Sequence, residues 1–456
     1  SKGIQPVEEK EYYPVSSSQR RLYLQWQLDD QSKSYNMPTA MILDGELDIA
    51  RLEETIQELG KRHEALRTSF KMVGGEIVQK IEDRIKIPIT YMEVEEKDLE
   101  GQVEEFMQPF DLNQTPLLRV ALIKFEREKH LLLFDMHHII SDGISLTILN
   151  RDFARLYQGQ TLKPLKIQYK DYAEWHNSLM ESEQMEELAN YWINSLDGFN
   201  FTKLPELESS AQRPEGKMMS LLLDKSLTDR INNFCRENNV TQFAFLLGVF
   251  KIILRDVLSQ DDITLGIPSA GRSYQELNDI IGIFLNVLVI RTMVDRDQSF
   301  KDYLVKLRDN LMVAQEHQDY QYENLYAQAK EKWNLKENSL FSILFNYMPY
   351  QGGEGFELDG ITLRPYDLDD PEAKYSLTLY VNEGKDKIGL VALYRSTVAD
   401  NIIQVIMDSF PHIIETVLDE EEIRIKEISL KGDSSAEEYG QDFDVEFDED
   451  NEEFFF

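Results

Sequence analysis

His137 and His138, followed by Asp142-Gly143, are the residues of this sequence best suited to proton-transfer chemistry. A neutral imidazole accepts a proton near pH 7, which suits histidine to general-base catalysis. Glycine lets a backbone N–H approach a ligand closely. A lone histidine is more often a core residue with satisfied hydrogen bonds, whereas two adjacent histidines with Asp-Gly at this spacing favour an active site.

The elements on either side indicate how this pair is held. Residues 131–136 are strongly apolar, so the sequence predicts a buried strand that ends at the histidines. Residues 120–125 predict its hairpin partner, with 126–129 as the turn. Apolar residues recur at helical spacing over 145–158, which predicts a helix directly after the motif. The histidines therefore lie between a strand and a helix.

Length and composition limit the classes of function. The chain has 456 residues, enough for two or three domains, and 83 acidic against 48 basic residues. A net charge of −35 argues against nucleic-acid binding, which needs a basic surface. The single cysteine, Cys235, excludes an internal disulfide, fits a reducing cytosol, and lies in a helical pattern typical of a buried thiol. No signal peptide is visible and the longest apolar run, 243–250, is too short to span a membrane, so we expect a cytoplasmic protein.

Composition also divides the chain. We predict an N-terminal lobe over 1–197, a linker rich in glycine, proline and serine over 198–217, and a C-terminal lobe over 218–432. The spacing of apolar residues in the C-terminal lobe predicts a mixture of helices and strands. The predicted helices are near 226–238, 241–257, 299–316 and 398–418, and the predicted strands near 263–267, 285–292, 341–347, 376–382 and 388–394. A long helix is also predicted over 172–196.

The last segment, 433–456, has a different character. It holds eleven acidic residues, no lysine or arginine, and phenylalanines between the acids. A purely acidic tail is disordered in general, whereas the alternation at 443–447 suits strand addition to an exposed sheet edge of a partner. We expect a docking segment, with packing against its own domain as the alternative.

The histidine motif resembles the HHxxxDG motif of nonribosomal peptide synthetase condensation domains, which belong to the chloramphenicol acetyltransferase-like superfamily. Further segments match the family in the same order along the chain, namely 16–23, 62–70, 169–175, 281–286 with Arg291, and 317–323. Two departures concern the substrate subtype: Ile144 stands where the family usually has tryptophan, and 337–341 only partly matches the last family segment. The matches cover roughly residues 10–430.

The resemblance implies an α/β fold of two chloramphenicol acetyltransferase-like lobes that form a V with an active-site channel between them. It implies an acyltransferase that joins a carrier-bound acyl or peptidyl thioester to the amine of a carrier-bound acceptor. Donor and acceptor peptidyl carrier proteins would be the partners, with both substrates on their phosphopantetheine arms and no cofactor bound by the domain itself. The alternatives are an epimerisation domain, which uses a similar motif, and a non-catalytic platform that recruits partner enzymes.

The resemblance also suggests a role for each motif residue. His138 is the central residue, either as the base that removes the amine proton or as a group that orients the amine. His137 is expected to buttress the turn, and the Gly143 N–H to face the thioester oxygen. Asp142 is assigned a structural role because a buried carboxylate needs a partner, for which the resemblance suggests Arg272.

Two further groups of residues follow from the matched segments. Arg62 and Arg67 are expected to brace the site through ion pairs. Four polar residues are expected to line the substrate channel: Ser18, Gln19, Ser145 and Asn286. We predict no metal site, because the seven histidines are scattered and the adjacent pair would point to opposite faces of a strand.

Overall fold

Two six-stranded sheets organise the chain, and each is built mainly from one half of the sequence. The computed structural model describes residues 3–208, 215–350, 356–368 and 373–432. Within these ranges the helices are α1 Ser17–Leu28, α2 Ile49–Arg62, α3 Leu99–Phe106, α4 Gly143–Tyr157, α5 Tyr169–Met180, α6 Glu183–Ser195, α7 Lys225–Asn238, α8 Gln242–Leu258, α9 Phe300–Glu316, α10 Tyr322–Trp333 and α11 Asp400–Asp419. The strands are β1 Tyr13–Pro14, β2 Asn36–Gly45, β3 Thr68–Val73, β4 Glu76–Ile81, β5 Ile89–Glu93, β6 Leu118–Glu126, β7 Lys129–His137, β8 Gly216–Leu223, β9 Asp262–Ser269, β10 Asn286–Met293, β11 Ile343–Met348, β12 Phe356–Leu358, β13 Ile361–Pro365, β14 Leu377–Glu383 and β15 Ile388–Arg395.

The sheet of the first lobe has the order β12-β13-β2-β7-β6-β5 and carries the histidine motif on its inner strand β7. Strand β7 pairs antiparallel with both β2 and β6. Leu132, Phe134 and Met136 point to one face of β7 and pack with the helices of this lobe. Leu131 and Leu133 point to the other face and pack with α3. Burial on both faces explains why β7 is apolar almost throughout.

The sheet of the second lobe has the order β10-β9-β11-β14-β15-β8. Strand β11 runs parallel to both β9 and β14, and the other neighbours are antiparallel. Helix α8 is buried along nearly its whole length because it packs against this sheet and against α11. A third, three-stranded sheet of order β1-β4-β3 lies apart from the two large ones.

The two halves of the sequence exchange elements, which the simple division into consecutive lobes did not predict. Strands β12 and β13 come from the second half but extend the first sheet, where Leu363 pairs with Leu43 of β2. In the opposite sense, Trp192 and Ile193 of α6 are buried in the hydrophobic core of the second lobe. The lobe boundaries at residues 197 and 218 remain predictions.

Most of the predicted elements are present, with two differences. The helix predicted over 172–196 is two helices, α5 and α6, because the chain breaks at Glu181 and Ser182, and Ser182 occupies the N-cap of α6. Residues 198–208 and 215–217 of the predicted linker are described: Leu204 is buried in the core of the second lobe, and Gly216 and Lys217 are the first residues of β8 rather than linker. The tail 433–456 lies outside the described residues. No helix in the described part of the chain is long and apolar enough to cross a bilayer.

Candidate active site

His138 lies in a single 3-10 turn, His138–Ile140, between the end of β7 and the start of α4. Its backbone N–H donates to the Tyr35 carbonyl at 2.8 Å, which anchors the turn to the chain before β2. Its ring Nδ1 lies 2.6 Å from the Ser141 carbonyl oxygen. A carbonyl oxygen can only accept, so Nδ1 carries the proton and the neutral ring keeps its lone pair on Nε2. The turn thus presents one basic nitrogen in a fixed orientation.

The surroundings of His138 keep the ring neutral. Burial lowers the pKa of His138 below its ordinary value, and the cations Lys374 and Arg21 lower it further. The Ser141 carbonyl and the Asp142 carboxylate act in the opposite sense, but burial dominates. Near pH 7 the ring is therefore unprotonated and able to accept a proton.

His137 has the opposite tautomer and a structural environment. Its Nδ1 accepts from the Ile139 N–H at 3.0 Å, so any proton of the neutral ring is on Nε2. The ring lies between Tyr35 and Phe110, and burial lowers the pKa of His137 to about 3. These contacts fit the buttressing role that the sequence suggested for His137.

Gly143 is the first residue of α4 and is exposed. A Cβ at this position would meet no heavy atom within 4 Å, so the space beside it is open. The first N–H groups of an α-helix have no intrahelical acceptor and attract negative charge. The start of α4, one turn from His138, is therefore suited to hold an oxyanion. The neighbouring Ile144 is also exposed.

Asp142 caps α4 and at the same time binds the segment 272–284 from the second half of the sequence. Its Oδ1 accepts from the Ser145 N–H at 2.8 Å, and its Oδ2 accepts from the Phe284 N–H at 3.0 Å. The expected partner is present, since Arg272 Nη2 lies 3.1 Å from Oδ1 and both side chains are only 3% exposed. The carboxylate is thus fully used in structural contacts.

Arg272 extends this network along residues 272–284, which come from the second half of the sequence but pack in the core of the first lobe. Its Nη1 donates to the carbonyls of Leu277 and Ile280, at 2.5 and 2.6 Å, and its guanidinium lies 4.2 Å from the centre of the Phe284 ring. Gly282 fits here because a Cβ would overlap the ring of Tyr169. The segment 272–284 is therefore locked against the start of α4.

Arg62 and Arg67 bind the protein's own chain away from the histidine turn. Arg62 forms an ion pair with Asp152 of α4 at 3.1 Å, and His63 shares the same carboxylate oxygen at 2.8 Å. Arg67 donates to backbone carbonyls, among them those of Gly60 and Glu82, at 2.8 and 2.5 Å. Within the described residues Arg67 contacts backbone carbonyl oxygens and no carboxylate, so the expected ion pair is not observed there.

The four residues expected in the channel are buried, and their polar atoms contact the protein itself. Gln19 donates to the Ile139 carbonyl at 3.3 Å, and Ser18 lies 3.5 Å from Gln321. Asn286 donates to the carbonyls of Gln318 and Tyr320, and Ser145 donates to the Gly282 carbonyl. Their role in a substrate channel stays a prediction.

Asp135 is a buried charged residue near the site that the sequence analysis overlooked. It lies on β7, two residues before His137, and is fully buried. Oδ2 accepts from Asn36 at 3.0 Å, while Oδ1 has no hydrogen-bond partner among the described residues. Burial raises the pKa of Asp135 to about 7, against the opposing effect of Arg119. In the sequence, Asp135 could have been recognised as the single acidic residue within an otherwise apolar predicted strand.

Replacement of Asp135 by asparagine is expected to stabilise the fold at high pH. Because the pKa of Asp135 is raised in the folded protein, this side chain stabilises the fold fully below its unfolded pKa of 3.8. The stabilisation is lost as pH rises through about 7. We therefore expect Asp135→Asn to raise the free energy of unfolding by roughly 1–3 kcal/mol at pH 8 and to change it little at pH 4. Urea denaturation at the two pH values measures this, with Asp44→Asn on β2 as control. An equal change at both pH values would contradict the explanation.

Known proteins resemble this chain in both sequence and fold. A family model described as Condensation domain matches residues 9–439. Gramicidin S synthase 2 of Brevibacillus brevis is 34% identical over 449 residues, which cover 97% of this chain and 10% of that protein. Surfactin synthase subunit 1 of Bacillus subtilis (strain 168) is 38% identical over 401 residues, 86% of this chain and 11% of that protein. The chain thus spans about a tenth of the length of these relatives.

Solved structures share the fold. The X-domain from teicoplanin biosynthesis has a TM-score of 0.81 at 21% identity, over 94% of this chain and 100% of that one. The condensation domain from Monacolin K polyketide synthase has a TM-score of 0.77 at 19% identity, over 92% of this chain and 100% of that one. The predicted fold class, an α/β protein of two chloramphenicol acetyltransferase-like lobes, is confirmed. With the family match over nearly its whole length, this chain belongs to the condensation domains of nonribosomal peptide synthetases.

Proposed function

We propose that this chain is a catalytic condensation domain. It transfers an acyl or peptidyl group from a donor carrier protein to the amine of an acceptor on a second carrier protein. The observation that carries this proposal is the His138 turn, in which Nδ1–H is held by the Ser141 carbonyl and Nε2 is left as a neutral, basic nitrogen.

The reaction needs a neutral amine, an aligned thioester and a stabilised oxyanion. The amine nitrogen attacks the thioester carbon, and its proton is accepted by, or directed towards, His138 Nε2. The N–H groups at the start of α4, beginning with Gly143, stabilise the negative oxygen of the tetrahedral intermediate. The carbon–sulfur bond then breaks, and the pantetheine thiolate takes up the proton. An amide and a free thiol result.

The two roles of His138 require the same ring orientation. As a base, it would contribute on the order of 10²–10⁴ to the rate. As an orienting acceptor, it would act mainly through proximity. In both cases only the neutral ring is active. Turnover is therefore expected to fall at acid pH, because the acceptor amine becomes protonated and because His138, whose pKa burial lowers below its ordinary value, becomes protonated at still lower pH.

The partners proposed are donor and acceptor peptidyl carrier proteins, which deliver both substrates on phosphopantetheine. We propose that the domain itself binds no cofactor. The cytoplasm stays the predicted location, from the single cysteine.

One experiment separates this function from its alternatives. The chain is mixed in D₂O with an aminoacyl-loaded donor carrier, with and without an amine-loaded acceptor carrier, and the carriers are analysed by mass spectrometry. A condensation domain moves the aminoacyl group to the acceptor. An epimerisation domain instead introduces deuterium at the α-carbon of the donor without any acceptor. A platform without activity gives neither change.

One structural neighbour supports the alternative of a non-catalytic platform that recruits partner enzymes. The X-domain from teicoplanin biosynthesis, whose fold resembles this chain, was solved in complex with OxyB. A domain of this fold can therefore serve as a binding partner. The neutral His138 and the open space beside Gly143 favour catalysis for the present chain.

We propose that the tail 433–456 contributes to selective binding of a partner protein and takes no part in the reaction. We expect truncation after residue 432 to leave turnover and melting temperature unchanged when both loaded carriers are supplied in excess. Binding to the cognate partner protein is expected to weaken, and more strongly at low salt, because acidic residues steer basic surfaces over a distance that salt shortens. Calorimetry and thermal melting of the two forms measure this. Lower thermal stability with unchanged partner affinity would instead mean that the tail packs on its own domain.

A further inference from the structure

Helix α1 contacts the histidine turn directly. Gln19 Nε2 donates to the carbonyl of Ile139, the residue after His138, at 3.3 Å. The amide of Gln19 is itself fixed, since its Oε1 accepts from the Ser16 N–H at 3.0 Å and the side chain is buried. A displacement of α1 is therefore passed on to the turn that orients His138.

The same helix is joined to the second lobe by an ion pair. Arg21 Nε lies 2.9 Å from Glu323 Oε1 of α10 in an ion pair without an aligned hydrogen bond, and the two side chains are 36% and 31% exposed. Glu323 occupies the first turn of α10, where the helix dipole favours a negative charge. One turn earlier on α1, Ser18 lies 3.5 Å from Gln321, next to the start of α10. Two contacts thus tie α1 to the start of α10.

Arg21 also affects the chemistry of the turn. It is one of the two cations close enough to lower the pKa of His138, the other being Lys374. The position of Arg21 is set by Glu323, because a long side chain with a third of its surface exposed otherwise samples several rotamers. The ion pair consequently fixes a charge near the basic nitrogen as well as the helix.

We propose that Arg21 and Glu323 are positioning residues for acyl transfer, which clasp α1 to the second lobe and thereby hold the His138 turn in its active orientation. This inference rests on the proposed condensation function. The clasp is distinct from the buried Asp142–Arg272 pair, since it acts through α1 rather than α4.

A second ion pair between the first and second halves of the sequence provides a control. Arg151 of α4 lies 2.9 Å from Asp279, with side chains 32% and 56% exposed. The other contact of Arg151 is with Asp152, on the side of α4 that faces α2. Loss of the Asp279 carboxylate therefore weakens an ion pair of similar exposure without disturbing α1.

The test compares Arg21→Gln, Glu323→Gln, the charge swap Arg21→Glu/Glu323→Arg, and the control Asp279→Asn in the full chain. Amide hydrogen exchange of a peptide that covers residues 138–141 reports on the turn without any substrate. We expect several-fold faster exchange in both single variants, partial recovery in the charge swap, and no change in the control. Melting temperatures are expected to stay close to the wild type, because partly exposed ion pairs contribute little to stability.

Single-turnover acyl transfer gives the functional readout. We expect each single variant to lower the transfer rate by roughly 10- to 100-fold, since small displacements of a reacting group cost that much. The concentration of acceptor carrier needed for half-maximal rate is expected to stay unchanged. In Arg21→Gln the acid limb of the pH profile is expected to move to higher pH, because a cation that lowers the pKa of His138 is removed. A merely structural contact would not move this limb.

The outcomes separate the clasp from the proposed function. Unchanged exchange at 138–141 in both single variants overturns the clasp, whatever the enzyme does. Equal acceleration in Asp279→Asn also overturns it, because the loss of any ion pair between the two halves of the sequence would then explain the effect. A wild-type chain that transfers no acyl group contradicts the proposed function, while the exchange measurement still decides whether the ion pair holds the turn.

Discussion

Replacement of His138 by alanine is expected to reduce acyl transfer by about 10²–10⁴-fold while the domain stays folded. The ring supplies the one basic nitrogen that the turn presents, and its loss removes proton acceptance and orientation together. Single-turnover transfer between loaded carriers measures the rate, and circular dichroism with thermal melting checks the fold. Transfer at the wild-type rate would remove His138 from the mechanism.

Two isosteric variants separate the functions of the ring. In His138→Asn, the side-chain amide takes the place of Nδ1–H and retains the hydrogen bond to Ser141, but no group replaces Nε2. We expect this variant to be folded and inactive. In His138→Gln, the amide oxygen occupies the region of Nε2 and accepts a hydrogen bond without taking a proton. Substantial activity of His138→Gln would favour orientation of the amine over general-base catalysis. His130→Ala, at the other end of β7, serves as the control.

Replacement of Asp142 by alanine is expected to lower the free energy of unfolding by roughly 3–5 kcal/mol, because it leaves the buried Arg272 without its counter-ion. The change also removes the N-cap of α4 and the acceptor of the Phe284 N–H. Chemical denaturation measures the loss, which we expect to appear as lower soluble yield as well. Activity is expected to fall with it, because the start of α4 carries Gly143.

The double variant Asp142→Ala/Arg272→Met tests whether the unpaired Arg272 causes the loss of stability. If the unpaired guanidinium causes the loss, removal of the charge restores part of the stability. Asp419→Ala is the control, since Asp419 forms an exposed ion pair with Arg230 at 2.7 Å. A loss for Asp142→Ala no larger than for Asp419→Ala would contradict the structural role of Asp142.

Local patterns in the sequence were sufficient to predict the strand, turn and helix around the motif. The apolar run before His137 and the periodic residues after Gly143 both reflect burial, which depends on neighbouring residues. The break between α5 and α6 was missed although Ser182, followed by acidic residues in the first turn of α6, is a typical N-cap signal. The predicted Asp142–Arg272 pair came from family resemblance and is present.

Features that depend on distant segments were not accessible from the sequence. The pairing of β13 with β2 joins residues that are far apart in the sequence. The alternation of apolar and polar residues within β13 predicts a strand but does not indicate which strand it pairs with. Arg67 was expected to form an ion pair because it lies in the matched segment 62–70, but the positions of the carbonyl oxygens that it contacts follow only from the folded backbone. The Arg21–Glu323 contact likewise requires α1 and α10 to be placed in space.

The central claim is that this chain forms an amide bond with neutral His138 as the active group. Its most direct test is the intact mass of both carriers after one turnover, quenched at a series of pH values between about 5 and 9. We predict that the donor loses the acyl mass and the acceptor gains it, at a rate that falls at low pH as His138 and the acceptor amine become protonated. No transfer at any pH, or the same transfer with His138→Ala, would contradict the claim.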